Sequence, residues 1–214
     1  MLSVSALTVT IAAATILDDV ALEVQPGTLT GLMGRNGAGK TTFMRSVMGL
    51  IPARAGRVDF DGADLAALPA HRRAGLGIGY MPEDRRLVPT LTVAENLMVP
   101  AWAGDAAQGA QRLPWIYRLM PEVEAFAARR AMQLSGGQQK LVALARALVP
   151  GRRLLLLDEP FEGLAPALAR RLVEVLSDLK AEGLSVLISE SDSTHSADLI
   201  DTLYVIERGR VHQA

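Results

Sequence analysis

The chain has 214 residues, with 22 Lys plus Arg against 23 Asp plus Glu and a formal net charge of −1, so it has no general electrostatic attraction for nucleic acid or anionic lipid. Cysteine is absent, which excludes disulfides, thiolate catalysis and Cys-ligated metal. The three histidines, at 71, 195 and 212, are well separated in sequence, which points away from a histidine metal cluster. Half of the residues are apolar yet only 2 Trp, 3 Tyr and 4 Phe are aromatic, giving an aliphatic core and no stacking platform for bases.

The longest uncharged stretch, Met1 to Leu17, is interrupted by Ser3, Ser5, Thr8, Thr10 and Thr15 and lacks a basic n-region. It is shorter than a membrane-spanning helix and is expected as β-strand in a chain of soluble, cytoplasmic type. The β-like pattern runs from Leu2 to Val24 and stops at the turn signal Gln25-Pro26-Gly27. Leu29 to Met33 is a short apolar run feeding the glycine-rich Gly34 to Gly39, and Lys40 to Leu50 carries Phe43, Val47 and Leu50 at helical spacing. A β-like segment follows around Val58 and Phe60, and Ile78 to Met81 reads as a short buried strand closed by Pro82.

From about Glu83 to Ser135 the texture becomes Ala-rich and helical, with Pro89, Pro100, Pro114 and Pro121 expected to break it into segments. With the helix that follows, this makes a helical insertion at roughly 84–148 within a single domain spanning 1–214. Leu154 to Leu157 suits a strand buried on both faces. Pro166 to Lys180 is an amphipathic helix with Leu168, Leu172, Val175, Leu176 and Leu179 on one face, opened by Pro166 and ended by Gly183. Leu184 to Ile188 is another buried strand, and Leu203 to Val211 a final hairpin around Arg208-Gly209. Strands alternating with helices predict a parallel α/β core. The pairs Arg72-Arg73, Arg85-Arg86, Arg129-Arg130 and Arg152-Arg153 read as solvated faces.

Gly34-Arg35-Asn36-Gly37-Ala38-Gly39-Lys40-Thr41, followed by Thr42, matches G-x-x-x-x-G-K-[ST]. Its glycines let backbone N–H groups turn toward phosphate, and the helix behind adds its positive end. Lys40 is expected on the β- and γ-phosphates of ATP or GTP and the Thr41 hydroxyl on Mg²⁺. Asp158-Glu159 closes the four-leucine strand: Asp158 is assigned to the metal and Glu159 to polarising the attacking water. Ser135 is a good N-cap ahead of Gly136, Gly137 and Gln138, where bare N–H groups make a second phosphate site. One nucleotide does not need two such sites on one chain; two chains sandwiching ATP do.

GRNGAGKTT at 34–42, LSGGQ at 134–138 and LLLLDEP at 154–160, in that order, resemble the ATP-binding cassette (ABC) ATPases over the whole length. Within that family IGYMPEDRRLVPTLTVAENL (Ile78 to Leu97), FEGLAP (Phe161 to Pro166) and YVIERGRV (Tyr204 to Val211) are most similar to the shorter ATPase subunit of bacterial branched-chain amino acid importers. The resemblance implies a P-loop NTPase (RecA-like) core with an N-terminal antiparallel β subdomain and an inserted α-helical subdomain. It further implies ATP hydrolysis with Mg²⁺, and a head-to-tail dimer with a second ATPase subunit in which Ser135 to Gln138 serve the partner's ATP. The partners implied are transmembrane permease subunits and, indirectly, a periplasmic binding protein, at the cytoplasmic face of the inner membrane; no nucleic acid partner is implied.

Against the family pattern, Glu83 occupies the Q-loop position, with a role near Mg²⁺ and in coupling to the permease. Ile11 stands where an aromatic stacks on adenine, and Ser191 where the switch histidine contacts the γ-phosphate. His195 reads as a surface histidine at a helix start, and Phe161 as packing at the dimer interface. Trp102 and Trp115 lie in the insertion, either at the permease contact or buried against its own helices. Ile11 and Ser191 keep open a second reading, a regulatory cassette that binds ATP and hydrolyses it poorly. A soluble relative acting on DNA or ribosomes is disfavoured, because neither a coiled-coil insertion nor a second cassette is present.

Overall fold

The structure, a computed structural model, describes residues 1–192 and 194–214. Strands β1 (Leu2–Ile11) and β2 (Ala14–Val24) pair antiparallel and bury Val4, Leu7, Val9, Leu17, Val20 and Leu22 on one face. β3 (Leu29–Met33), buried throughout, leads through the glycine loop into α1 (Lys40–Val47). The apolar spacing continues to Leu50, but the helix stops three residues earlier. Gly49 turns left-handed at φ +72°, its N–H bonds the Ser46 carbonyl at 3.0 Å, and the Leu50 N–H bonds the Arg45 carbonyl at 2.8 Å. That Schellman ending turns Leu50 outward.

β4 (Ala55–Phe60) and the two-residue β5 (Ala63–Asp64) complete a four-stranded antiparallel sheet in the order β2-β1-β4-β5. α2 (Ala70–Gly75) then delivers Arg73 inward, correcting its reading as part of a solvated pair. Its Nη1 donates to the Ser46 and Val47 carbonyls at 3.0 and 2.7 Å. The last carbonyls of α1 have no intrahelical donor, and a guanidinium there also complements the negative end of the helix.

After β6 (Ile78–Met81) come four helices: α3 (Val93–Trp102), α4 (Ala106–Leu119), α5 (Pro121–Ala125) and α6 (Gly136–Leu148). Pro121 opens α5 as a first-turn proline. Pro100 and Pro114, expected as breakers, instead lie inside α3 and α4. Each removes one hydrogen bond, yet Leu97, Ala101 and Ile116 are buried on the faces where these helices pack, and that burial outweighs the propensity. Trp102 is 56% exposed, whereas Trp115 packs on the core and donates Nε1–H to Glu182 at 3.0 Å.

β7 (Leu154–Asp158), α7 (Pro166–Ala181), β8 (Ser185–Glu190), β9 (Thr202–Glu207) and β10 (Arg210–Gln213) finish the chain. The second sheet runs β10-β9-β3-β8-β7-β6, parallel except for the β9–β10 hairpin. Strand alternation divides β7 between two cores: Leu155 and Leu157 face the helices α3, α6 and α7, while Leu154 and Leu156 face α1 and the antiparallel sheet. All four are fully buried, each contributing about 2 kcal/mol. The expected class, a parallel α/β core with an antiparallel β subdomain and an inserted helical part, is the one observed.

Candidate nucleotide site

The carboxyl ends of β3, β7 and β8 meet at the first turn of α1, where backbone groups and polar side chains of a parallel sheet become accessible. Between β3 and α1 the loop must approach other backbone closely. A Cβ on Gly34 would lie 2.4 Å from the Ile206 carbonyl oxygen, and Gly39, at φ +116°, would bring one within 2.8 Å of Leu17. The loop is anchored by Gly34 N–H to the Glu190 carbonyl at 3.1 Å. Beyond it the N–H groups of Lys40, Thr41 and Thr42 open α1 and have no intrahelical acceptor. They face a cleft of about 350 Å³ lined by Asn36, Gly37, Gly39, Lys40, Thr41 and Thr42 on the loop side and by Ile16, Glu83, Glu159 and Glu162 opposite. The free donors, the positive helix end and this space suit a polyphosphate.

Lys40 is buried and engaged within the site: Nζ pairs with Glu159 Oε1 at 3.0 Å and donates to the Gly34 and Arg35 carbonyls. At the end of β7, Asp158 is wholly buried. Its Oδ1 accepts from Ser189 Oγ at 2.7 Å and from Thr41 Oγ1 at 3.2 Å, and its Oδ2 from the Tyr80 hydroxyl at 3.4 Å. Burial pushes the Asp158 pKa up, and the Ser189 and Thr41 hydroxyls pull against it. Glu159 follows in a left-handed backbone conformation at φ +49°. Its carboxylate meets Ser191, whose Oγ lies 2.8 Å from Oε1 and whose N–H donates to Oε2 at 3.3 Å. Ser191 Oγ is also 2.8 Å from Asn36 Oδ1. One hydroxyl carries one hydrogen, so Ser191 donates to the carboxylate and the Asn36 amide is better turned to donate to Ser191.

Glu83 lines the same cleft; desolvation and the carboxylates of Asp158, Glu162 and Glu159 raise its pKa. Three carboxylates thus line the cleft, and Lys40 pairs with one of them, Glu159. Ile11, 45% exposed at the end of β1, lies outside the cleft lining, and Ile16 occupies that wall instead. Ser135 caps α6 by accepting from the Gln138 N–H at 3.3 Å, and Gln138 Oε1 accepts in return from the Ser135 N–H at 3.0 Å. Ser135 and Gly136 are exposed, and none of the residues 135–138 lines the cleft around Lys40. His195 is exposed and tilts against the buried Phe161 ring, with centroids 5.4 Å apart. Ser189, Tyr80, Ile16 and Glu162 join the site without a sequence motif. Of these only Ser189 carried a signal: it sits opposite Asp158 in the β7–β8 register, a polar residue closing a buried run.

Residues 17–162 match the family model described as ABC transporter. The chain belongs to the ABC transporter family. A second model, described as AAA domain, putative AbiEii toxin, Type IV TA system, matches residues 127–201. The cassette is 35% identical to the high-affinity branched-chain amino acid transport ATP-binding protein BraG of Pseudomonas aeruginosa, over 91% of this chain and 84% of that one. It is equally similar, at 35%, to the lipopolysaccharide export system ATP-binding protein LptB of Escherichia coli, over 92% and 82%. Among solved structures, a nucleotide-free ATP-binding cassette from an ABC transporter superposes with a TM-score of 0.88 at 27% identity, covering 100% of this chain and 90% of that one. A dimeric post-hydrolysis state of the cassette MJ0796, bound to ADP and Pi, gives 0.86 at 25% identity over 100% and 98%. The cassette is an ATP-binding subunit and an ATPase.

Proposed function

We propose that the cassette hydrolyses Mg²⁺-ATP at the cleft between α1 and β7 and thereby energises uptake of branched-chain or related amino acids through permease subunits. The observation that carries the catalytic part is the convergence of Lys40, Glu159 and Ser191, each pair within 3.4 Å. The similarity to BraG and to the probable branched-chain amino acid transport protein LivF of Archaeoglobus fulgidus, 35% identical over 92% of this chain and 84% of that one, supports the transport part. No helix among the described residues is long and apolar enough to cross a membrane. The reading assigns the solute pathway to permease subunits and the cassette to the cytoplasmic face of the inner membrane, with a periplasmic binding protein delivering solute.

The donor set fits Mg²⁺. Thr41 Oγ1 and Asp158 Oδ1 are 3.2 Å apart, close to the separation of about 3 Å for neighbouring ligands of an octahedral ion with 2.1 Å bonds. Glu83, Glu159 and Glu162 around the cleft would repel phosphate unless a cation stood among them. Mg²⁺, when bound, supplies that charge. Lys40 would exchange its carbonyl and carboxylate partners for phosphate oxygens, which frees Glu159. The freed carboxylate accepts a hydrogen from the attacking water, and Ser191, from the end of β8, fixes that carboxylate's orientation. Residues 135–138 stand away from this cleft, as a signature serving a second subunit's ATP would.

The equal identity to LptB favours one alternative, in which the same ATPase drives export of a lipid-like substrate. Reconstitution with permease subunits of a branched-chain amino acid importer, in vesicles enclosing Mg²⁺-ATP, distinguishes the two. ATP-dependent accumulation of labelled leucine is expected. Lipid extraction without leucine uptake would favour the alternative. ATP binding with no transport in either direction would favour a regulatory cassette.

A further inference from the structure

Helix α6 carries a lysine on the face that packs against the core. Lys140 is 7% exposed and precedes the fully buried Leu141, Val142, Ala143 and Leu144. Nζ donates to the main-chain carbonyl of Glu159 at 2.7 Å and to that of Glu162. These two carbonyls bracket the segment that leaves β7 and turns toward α7. A buried ammonium is tolerated only when its hydrogens are taken up: burial pushes the Lys140 pKa down, and the carboxylates of Glu162, Glu159 and Glu83 pull against that, with Arg85 adding to the lowering.

The segment needs such a fastening. Glu159 holds φ +49°, a left-handed conformation that costs a residue with a Cβ about 1 to 2 kcal/mol, and it is this turn of the backbone that aims its carboxylate at Lys40 and Ser191. We infer that Lys140 is a positioning residue for hydrolysis: it clamps residues 159–162 from α6 and so holds the Glu159 carboxylate in register with Lys40 and Ser191. The inference rests on the reading of Glu159 as the group that activates water. It also ties two sites together. Ser135, which begins the exposed end of α6, is five residues before Lys140, so whatever docks on residues 135–138 pushes on a rigid helix whose next fixed point is the catalytic segment. α6 uses the same device further along, where Arg146 donates to the Arg85 and Arg86 carbonyls and both of those residues are left-handed.

The test compares the full-length wild type with Lys140→Met and Lys140→Arg, and with Glu159→Gln as control. Amide hydrogen exchange across residues 159–164, equilibrium ATP binding, kcat and KM are measured for each. Lys140→Met is expected to raise exchange in that segment and to lower kcat by about tenfold or more, with the ATP Kd changed less than about threefold. Lys140→Arg, which keeps donors in reach, restores most of both. Should Lys140→Met lose its cooperative thermal transition, Lys140→Gln takes its place under the same criteria. Unchanged exchange across 159–164 overturns the clamp, whatever the turnover. Faster exchange with unchanged kcat, or with kcat and ATP affinity falling together, overturns the positioning role. Turnover that persists in Glu159→Gln would instead remove the reading of Glu159, with the clamp judged by exchange alone.

Discussion

Lys40 Nζ stands 3.0 Å from Glu159 Oε1, so the cation of the phosphate loop and the carboxylate closing β7 neutralise one another, both largely buried. A nucleotide entering the cleft competes with Glu159 for Lys40. Removing the carboxylate charge in Glu159→Gln is therefore expected to leave ATP affinity intact or raise it. Lys40→Met, which removes the cation, is expected to weaken binding by about tenfold or more. Titration with a fluorescent ATP analogue measures both; a loss of affinity in Glu159→Gln would contradict the competition.

Ser189 is the side chain that fixes Asp158. Its 2.7 Å hydrogen bond is buried, and deleting it leaves a carboxylate oxygen short of a donor where burial already raises the pKa. Ser189→Ala is expected to cost about 1 to 3 kcal/mol in urea unfolding. It should also raise the Mg²⁺ concentration needed for half-maximal turnover, because Asp158 loses the group that orients it toward Thr41.

Glu190, the last residue of β8, is 3% exposed, and its carboxylate accepts from the Ser196 hydroxyl. Burial pushes its pKa from 4.5 up to about 7. The native state therefore holds this proton over a range where the unfolded chain has released it. The associated stability is full below pH 4.5, falls as pH rises, and is gone above pH 7. Glu190→Gln removes the titration, so its stability relative to wild type should rise across that interval by on the order of 3 kcal/mol from its value near pH 4. Parallel stability curves for the two proteins would contradict this.

Gly79 in β6 passes directly beneath α6. A Cβ there would lie 2.1 Å from the Ala147 carbonyl oxygen and 2.9 Å from the Gly151 Cα, both main-chain atoms with little freedom to move. Gly79→Ala is expected to destabilise the fold by about 3 kcal/mol, read as a lower urea midpoint at unchanged slope.

The parts of this molecule legible in its sequence are those set by local chemistry. The glycine loop, the four leucines ending in Asp158-Glu159, Ser135 as a cap and Pro166 at a helix start each announce their element through sterics or backbone satisfaction within a few residues. What was not legible depends on packing at a distance. Pro100 and Pro114 remain helical because their helices bury apolar faces, which propensity alone does not report. Arg73 belongs to a charged pair in sequence but to the end of α1 in space. Ile16 lines the cleft without any motif to mark it, because the pairing of β1 with β2 and not local chemistry brings it there. Lys140 lies 19 residues from Glu159 in the chain, and only the fold brings them together.

In the proposed mechanism Glu159 activates water at a competent site despite serine at position 191. Phosphate release from the purified chain with Mg²⁺-ATP, compared with Glu159→Gln, decides whether it does. Steady turnover is expected in wild type and a loss of about 100-fold or more in the variant, with ATP binding retained in both. Wild-type turnover no greater than that of Glu159→Gln, with ATP bound in both, would contradict that mechanism.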